Sequence, residues 1–223
     1  MGSAMDERQL QEILDFAVDC AQAAGRLTLG YFDAGTPAET KTDNTPVTIA
    51  DRAAEQLLRQ RIEARYPTHG IVGEEYGEKA GPAAARWILD PIDGTVSFIS
   101  GVPLYSVLIG FEWAGEVLAG VIHLPALGET LYAARGLGCC WNGRPARVSD
   151  VPDLSRARLV VTSTKLMYAH GQGAVYERLR DACLLDRAAR TQLKGQRART
   201  ARLLRAEIGR LFGSRQVFQG LPG

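Results

Sequence analysis

The sequence has no long apolar run. None of its 223 residues lies in a stretch near the roughly 18 apolar residues a membrane-spanning helix needs. No signal-peptide pattern opens it, and Asp6 stands where N-myristoylation would require Ser or Thr. Cysteine is scarce, with four residues (Cys20, Cys139, Cys140, Cys183) and no CxxC pair. That excludes a disulfide framework and reads as buried, reduced thiols in a cytoplasmic protein. Histidine is scarcer still: His69, His123 and His170 are far apart, without HExxH-like spacing, so the sequence does not point to zinc. No internal repeat is present.

What remains is an ordinary soluble composition, 46% apolar and 23% charged, long enough for one large domain or two closely joined halves. Net charge is +1, but it is unevenly placed. Residues 187–223 carry nine basic residues against the single acid Glu207, or +8, whereas residues 1–186 carry 17 basic against 24 acidic, or −7. Such a jump marks a boundary. Residues 1–5 read as an expression remnant or alternative start, 6–186 as the folded domain, and 187–223 as an atypical basic tail.

Apolar spacing predicts a helix over 6 to about 31 and a second over 50–65, with Pro67 beyond its end. Between them, 38–48 reads as a short hairpin with a turn near Asp43-Asn44. A short strand is expected at 70–73, running into Glu74-Glu75, then a surface loop to about 85, and a buried strand at 87–90. Residues 94–100 read as a helix start. Strands follow at 105–111, 116–124 and 129–134, a hairpin over 136–148, a strand at 158–162 and a helix at 174–182. Helices first and then mostly antiparallel strands favour a layered arrangement of helices and sheets over a strict βαβ repeat.

Chemistry concentrates at four acidic stations: Asp51, Glu74-Glu75, Asp90 and Asp93. Mg²⁺ prefers hard oxygen ligands, usually a few carboxylates together with substrate phosphate and water. In Asp90-Pro91-Ile92-Asp93, Pro91 fixes its own φ and offers no amide, so both carboxylates could converge with the Ile92 carbonyl between them. Gly94 permits close backbone approach, the Gly94 and Thr95 amides at a helix start suit phosphate, and the Thr95 hydroxyl could orient a water. Taken alone, Asp93-Gly94-Thr95 is equally a turn with a helix cap, and Glu74-Glu75 a solvated pair. Both follow short apolar strands, and together they are harder to dismiss.

Three ordered segments resemble the inositol monophosphatase superfamily of Mg²⁺-dependent, lithium-sensitive phosphatases. They are Lys41-Thr42-Asp43-Asn44-Thr45-Pro46-Val47-Thr48-Ile49-Ala50-Asp51, then Gly73-Glu74-Glu75, then Trp87-Ile88-Leu89-Asp90-Pro91-Ile92-Asp93-Gly94-Thr95. The continuation Val96-Ser97-Phe98-Ile99-Ser100-Gly101-Val102-Pro103 is closer to the histidinol-phosphatase branch. The resemblance implies an α+β layered, αβαβα-type sugar-phosphatase fold. It also implies hydrolysis of a small phosphorylated metabolite, histidinol phosphate first, with inositol phosphate or another small phosphomonoester as the alternative.

By the same resemblance Glu74, Asp90 and the Ile92 carbonyl hold a first Mg²⁺, and Asp90 and Asp93 share a second. Glu75 would assist a weaker third ion or its loop. Glu74, Asp51 and Thr95 form the catalytic group, with Thr95, supported by Asp51, positioning water. Gly94 and Thr95 meet the phosphate. Lys41 is either solvated or part of the site. A homodimer is among the partners implied, and a membrane is not.

The family's later Trp-Asp-x-Ala-type ligand has no counterpart: no Trp follows Trp141 and no Asp follows Asp186. The C-terminal layer is therefore expected to be incomplete or altered. Three readings compete for the tail: an out-of-frame translation of a GC-rich gene, a divergent natural tail with a basic amphipathic helix over 200–212, or a substitute carboxylate from elsewhere. Its charge would suit nucleic acid, but no interleaved aromatics or recognised binding fold accompany it, so a nucleic-acid partner is not expected. A missing ligand would leave Asp90 and Asp93 raising each other's pKa and a weakened second site. An impaired member acting as a binding or regulatory protein is the non-enzyme alternative.

Overall fold

The computed structural model describes residues 5–32, 34, 37–40, 46–161 and 164–188. Lys41, the turn at Asp43-Asn44, residues 1–4 of the expected remnant, and the tail from 189 onward, including the expected helix at 200–212, lie outside the described residues. Among the described residues the chain divides into two units, with the division between Ala146 and Arg147.

In the first unit, α1 (Glu7–Leu29) starts at a reciprocal cap. The Gln9 amide donates to Asp6 Oδ1 at 2.8 Å, and the Asp6 amide donates to Gln9 Oε1 at 3.1 Å. Its buried stripe, Leu10, Ile13, Leu14, Ala17, Ala21 and Ala24, follows the 3.6-residue period read in the sequence. The strands β1 (Ala38–Thr40) and β2 (Pro46–Thr48) pair antiparallel, and α2 (Ile49–Arg65) follows at once.

An eight-stranded sheet comes next, built from β3 (Gly70–Gly73), β4 (Gly77–Lys79), β5 (Ala85–Asp93), β6 (Ser106–Trp113), β7 (Glu116–Leu124), β8 (Glu129–Ala134), β9 (Gly138–Trp141) and β10 (Arg144–Pro145). A five-residue helix, α3 (Thr95–Ile99), lies between β5 and β6. The spatial order is β10-β9-β8-β7-β6-β5-β3-β4, antiparallel throughout except for the parallel pair β3/β5. Helix α1 packs against β6, β7 and β8, and α2 against α1 and β5. The core between them holds Leu58, Ile62, Ile71, Trp87, Leu89, Val107, Ile109, Phe111 and Val121. Burial alternates along β5, with Ala85, Trp87 and Leu89 turned into this core. The buried Trp87 indole donates to His69 Nδ1 at 3.1 Å, so no polar atom of the largest core side chain is left unpaired.

The second unit contains β11 (Arg158–Val161), α4 (Thr164–Ala169), α5 (Gly173–Ala182) and β12 (Leu185–Ala188). Here β11 and β12 pair in parallel, joined through the two helices.

Two expectations change. The loop expected after Glu75, to about 85, contains β4, which pairs antiparallel with β3. All three of its residues are exposed at the sheet edge, so it carries no apolar alternation to read. Of the four cysteines expected to be buried, only Cys20 is. Cys139 and Cys140 are half-buried on β9, second from the sheet edge, and Cys183 is half-buried at the end of α5.

Leu58 is fully buried where α2 meets the sheet. Leu58→Ala is expected to cost about 2–5 kcal/mol, the range for an incompletely collapsing core cavity. The measurement is a lower urea midpoint with an unchanged m-value.

Candidate active site

The parallel ladder between β3 and β5 sets Ile71 opposite Trp87, Val72 opposite Ile88 and Gly73 opposite Leu89. The next residues on the two segments are Glu74 and Asp90, and the Glu74 amide donates to the Leu89 carbonyl at 3.2 Å. On its other side β5 pairs with β6 as far as Asp90 opposite Leu108, loses register, and resumes with Asp93 opposite Ser106. Pro91 and Ile92 thus face Val107 alone. Pro91 has no amide to donate, and a bulge of this kind re-aims the side chains around it.

The Ile92 side chain is buried with Ala50, Phe98 and Tyr105, which anchors the bulge while its carbonyl accepts the Thr95 hydroxyl at 3.2 Å. Gly94 has φ +90°, and a Cβ there would lie 3.2 Å from the Leu104 carbonyl oxygen. Conformation and space both call for glycine. Thr95 then begins α3, where the first amides have no acceptor within the helix. The Asp93 carboxylate accepts the Ser106 hydroxyl at 3.2 Å on Oδ2.

Asp51 is buried in the first turn of α2. Its Oδ2 accepts the Thr48 amide at 2.8 Å and the Thr48 hydroxyl at 2.6 Å, while the Ala50 amide donates back to Thr48 Oγ1 at 3.1 Å. A carboxylate at this end of a helix also meets the positive end of the helix dipole. The stripe continues with Glu55, one turn on and fully buried, whose oxygens accept the Glu75 amide at 2.7 Å and the Tyr76 amide at 3.2 Å.

Asp90 is the electrostatic centre. Burial pushes its carboxyl up from 3.8 to about 9, reinforced by the charges of Glu74 and Asp93, a hydrogen bond with Glu74, and the charge of Asp51. Its Oδ1 is buried without a hydrogen-bond partner. Among the described residues no three acidic, histidine or cysteine side chains are already gathered into an ion-binding cluster. The structure offers the field around Asp90 rather than a ready-made cage. That field suits a hard cation: the donors are carboxylate and carbonyl oxygens, the acids repel one another, and one buried oxygen is unsatisfied.

The structure therefore brings Glu74, Asp93 and Asp51 within electrostatic reach of Asp90 and joins Thr95 to Ile92. The expected mutual repulsion of Asp90 and Asp93 is among the causes of the shift at Asp90, behind burial and the charge of Glu74. Sequence reasoning missed Thr48, although Thr48-x-x-Asp51 is a capping-box pattern that could have been read. It also missed Ser106 and Glu55, which gain their partners through sheet register and helix–turn packing.

The sequence profile described as the inositol monophosphatase family matches residues 9–194. A histidinol-phosphatase of Chlorobaculum parvum is 47% identical over 155 residues, 69% of this chain and 60% of that protein. The chloroplastic bifunctional phosphatase IMPL2 of Arabidopsis thaliana is 35% identical over 181 residues, 80% of this chain and 52% of that protein. The solved structure of an IMPase from Thermotoga maritima superposes with a TM-score of 0.72 at 33% identity, covering 79% of this chain and 68% of that one. The chain spans between half and three fifths of the length of these two curated relatives.

The raised Asp90 carboxyl has a consequence for stability. Between about pH 4 and pH 9 the folded chain holds a proton that the unfolded chain has released, so stability falls as pH rises through that window. In chelator, the Asp90 contribution to the slope of unfolding free energy is expected to reach at most about 1.4 kcal/mol per pH unit. Asp90→Asn should remove that contribution. Denaturant unfolding at several pH values, on both proteins, checks it.

Proposed function

The chain belongs to the inositol monophosphatase family, and from that premise we propose that it is a Mg²⁺-dependent phosphomonoesterase for a small phosphorylated metabolite, histidinol phosphate first. The observation that carries this reading is the buried, unpartnered Asp90 oxygen in a field of three further acids. A cation bound there would take up the unsatisfied oxygen and offset the repulsion among the four acids. The identity to a histidinol-phosphatase supports the substrate. The likeness to a solved IMPase favours inositol phosphate as the second reading. A reducing cytoplasmic setting accords with four cysteines that carry thiols.

In this reading Glu74, Asp90 and the Ile92 carbonyl would hold one Mg²⁺, and Asp90 with Asp93 would hold a second. When bound there, Mg²⁺ would offset the charge on the phosphoryl oxygens and make water a better nucleophile near neutral pH. The rest falls to the chain's own groups. The Thr95 hydroxyl donates its hydrogen bond to the Ile92 carbonyl, which leaves its oxygen lone pairs to accept from a water and aim it at phosphorus. Asp51, held by Thr48, supplies the fixed negative charge that favours proton movement away from that water. The Gly94 and Thr95 amides receive phosphoryl oxygens at the start of α3. Water adds to phosphorus, the ester P–O bond breaks, and the proton ends on the departing alkoxide. The products are the free alcohol and inorganic phosphate, without a covalent phosphoenzyme.

Purified protein is expected to release phosphate from histidinol phosphate with Mg²⁺ and not with chelator. Asp90→Asn should abolish the release, and Thr95→Ala should lower kcat by about 10²–10³, as for loss of a water-orienting group. A phosphate-release assay over histidinol phosphate, inositol phosphate and adenosine bisphosphate ranks the substrates. Release no greater than that of Asp90→Asn on all three would leave the binding or regulatory reading in its place.

A further inference from the structure

We propose that Glu55, locked by Arg59, is a positioning residue that fixes the turn carrying Glu74 and thereby sets metal affinity. The proposal rests on the metal reading of the site given above. Asp51, Glu55 and Arg59 follow one another at four-residue spacing on α2, so they form a single stripe. Asp51 belongs to the cap at the head of the helix. Glu55 and Arg59 are committed to the segment from Gly73 to Gly77.

A carboxylate with no solvent exposure is expensive unless its oxygens are paired. Those of Glu55 are paired with Arg59 and with the turn. Arg59 Nε donates to Oε1 at 2.8 Å. The Glu75 amide donates to Oε2 at 2.7 Å and the Tyr76 amide to Oε1 at 3.2 Å. Arg59 also donates through its Nη2 to the Gly77 carbonyl, and its guanidinium lies 5.9 Å from the centre of the Tyr76 ring. The carboxylate is pressed against the strand end as well: a Cβ on Gly73 would stand 1.9 Å from Glu55 Oε1.

The result is a bracket around one residue. Before Glu74, the chain is held by the close approach of Gly73 to Glu55. At Glu74, the amide is held by the Leu89 carbonyl. After it, two successive amides are held by Glu55. Charge-assisted bonds to consecutive amides impose direction as well as attraction. A buried ion pair is commonly no more stabilising than apolar residues of the same volume. What this one adds is the placement of the Glu74 backbone beside Asp90.

The test compares the wild-type chain with Glu55→Gln, Glu74→Gln and the double variant, using Mn²⁺ as the spin-active probe and reading free Mn²⁺ by electron paramagnetic resonance. Gln keeps the volume of Glu but offers one oxygen where two are needed. Glu55→Gln is expected to weaken Mn²⁺ binding about 10- to 100-fold, the usual effect of losing support behind a ligand. At saturating Mg²⁺ its kcat should return towards the wild-type value. The double variant should bind no more weakly than Glu74→Gln alone, because Glu55 acts through Glu74.

Unchanged Mn²⁺ affinity in folded Glu55→Gln overturns the proposal, even if its thermal midpoint falls, since that is what a structural role alone would do. Losses that add in the double variant overturn it too. Should Glu55→Gln fail to fold, Arg59→Lys carries the same test. It keeps the charge but loses the fork that spans Glu55 and Gly77, and a smaller loss in the same direction supports the proposal while none overturns it. Wild-type protein that takes up no Mn²⁺ overturns the metal reading itself, a result distinct from equal uptake by wild type and variant.

Discussion

The parallel ladder between β3 and β5 ends with Gly73 opposite Leu89, and the candidate site begins one residue later on each strand. In an otherwise antiparallel sheet this pair alone runs in one direction on both sides. Neighbours that ran oppositely would release their last residues at opposite ends of the sheet. Running together, β3 and β5 deliver Glu74 and Asp90 at the same end, and the bond from the Glu74 amide to the Leu89 carbonyl ties them. The bulge on the far side of β5 then frees Asp93 from strict alternation with Asp90. The outer flank of β3 is covered by the short strand β4, whose exposed Glu78 and Lys79 make a poor template for another chain.

Convergence of acids is paid for in stability. A buried carboxyl that must hold a proton to about pH 9 is a local violation of the rule that interior polar groups are satisfied, and its Oδ1 lacks even a hydrogen bond. Such a violation survives only where packing elsewhere is ample. Here α1 and α2 bury Leu10, Ile13, Leu14, Leu58 and Ile62 against Trp87, Ile109 and Phe111. The division between a consistent core and an inconsistent sheet end is what identifies the site physically.

Much of this was legible in the sequence because it is local. The stripe on α1 follows from its period. Trp87-Ile88-Leu89 announces a buried strand, and Asp90-Pro91-Ile92-Asp93-Gly94-Thr95 carries its own turn chemistry. What escaped depends on register. Ser106 became a partner of Asp93 because the ladder skips around Pro91 and Ile92, a shift that no spacing reveals. The order of effects at Asp90, burial first and then Glu74 ahead of Asp93, is likewise set by packing and by the parallel pairing of β3 with β5, which spacing does not show. β4 escaped for another reason: a fully exposed edge strand has no hydrophobic pattern at all.

Helix α2 connects the two regimes. Ala54, Leu58 and Ile62 face the core, whereas Asp51, Glu55 and Arg59 occupy a stripe roughly 60° round the helix. Because both stripes belong to one rigid element, the rotation of α2 that best fills the core also sets the angle at which Glu55 meets Gly73, Glu75 and Tyr76. A turn of the helix that relaxed the acids would uncover Leu58 and Ile62. The apolar packing therefore holds Asp51 and the Glu74 turn at a fixed separation along α2, and the acids at the sheet end cannot separate without disturbing the core.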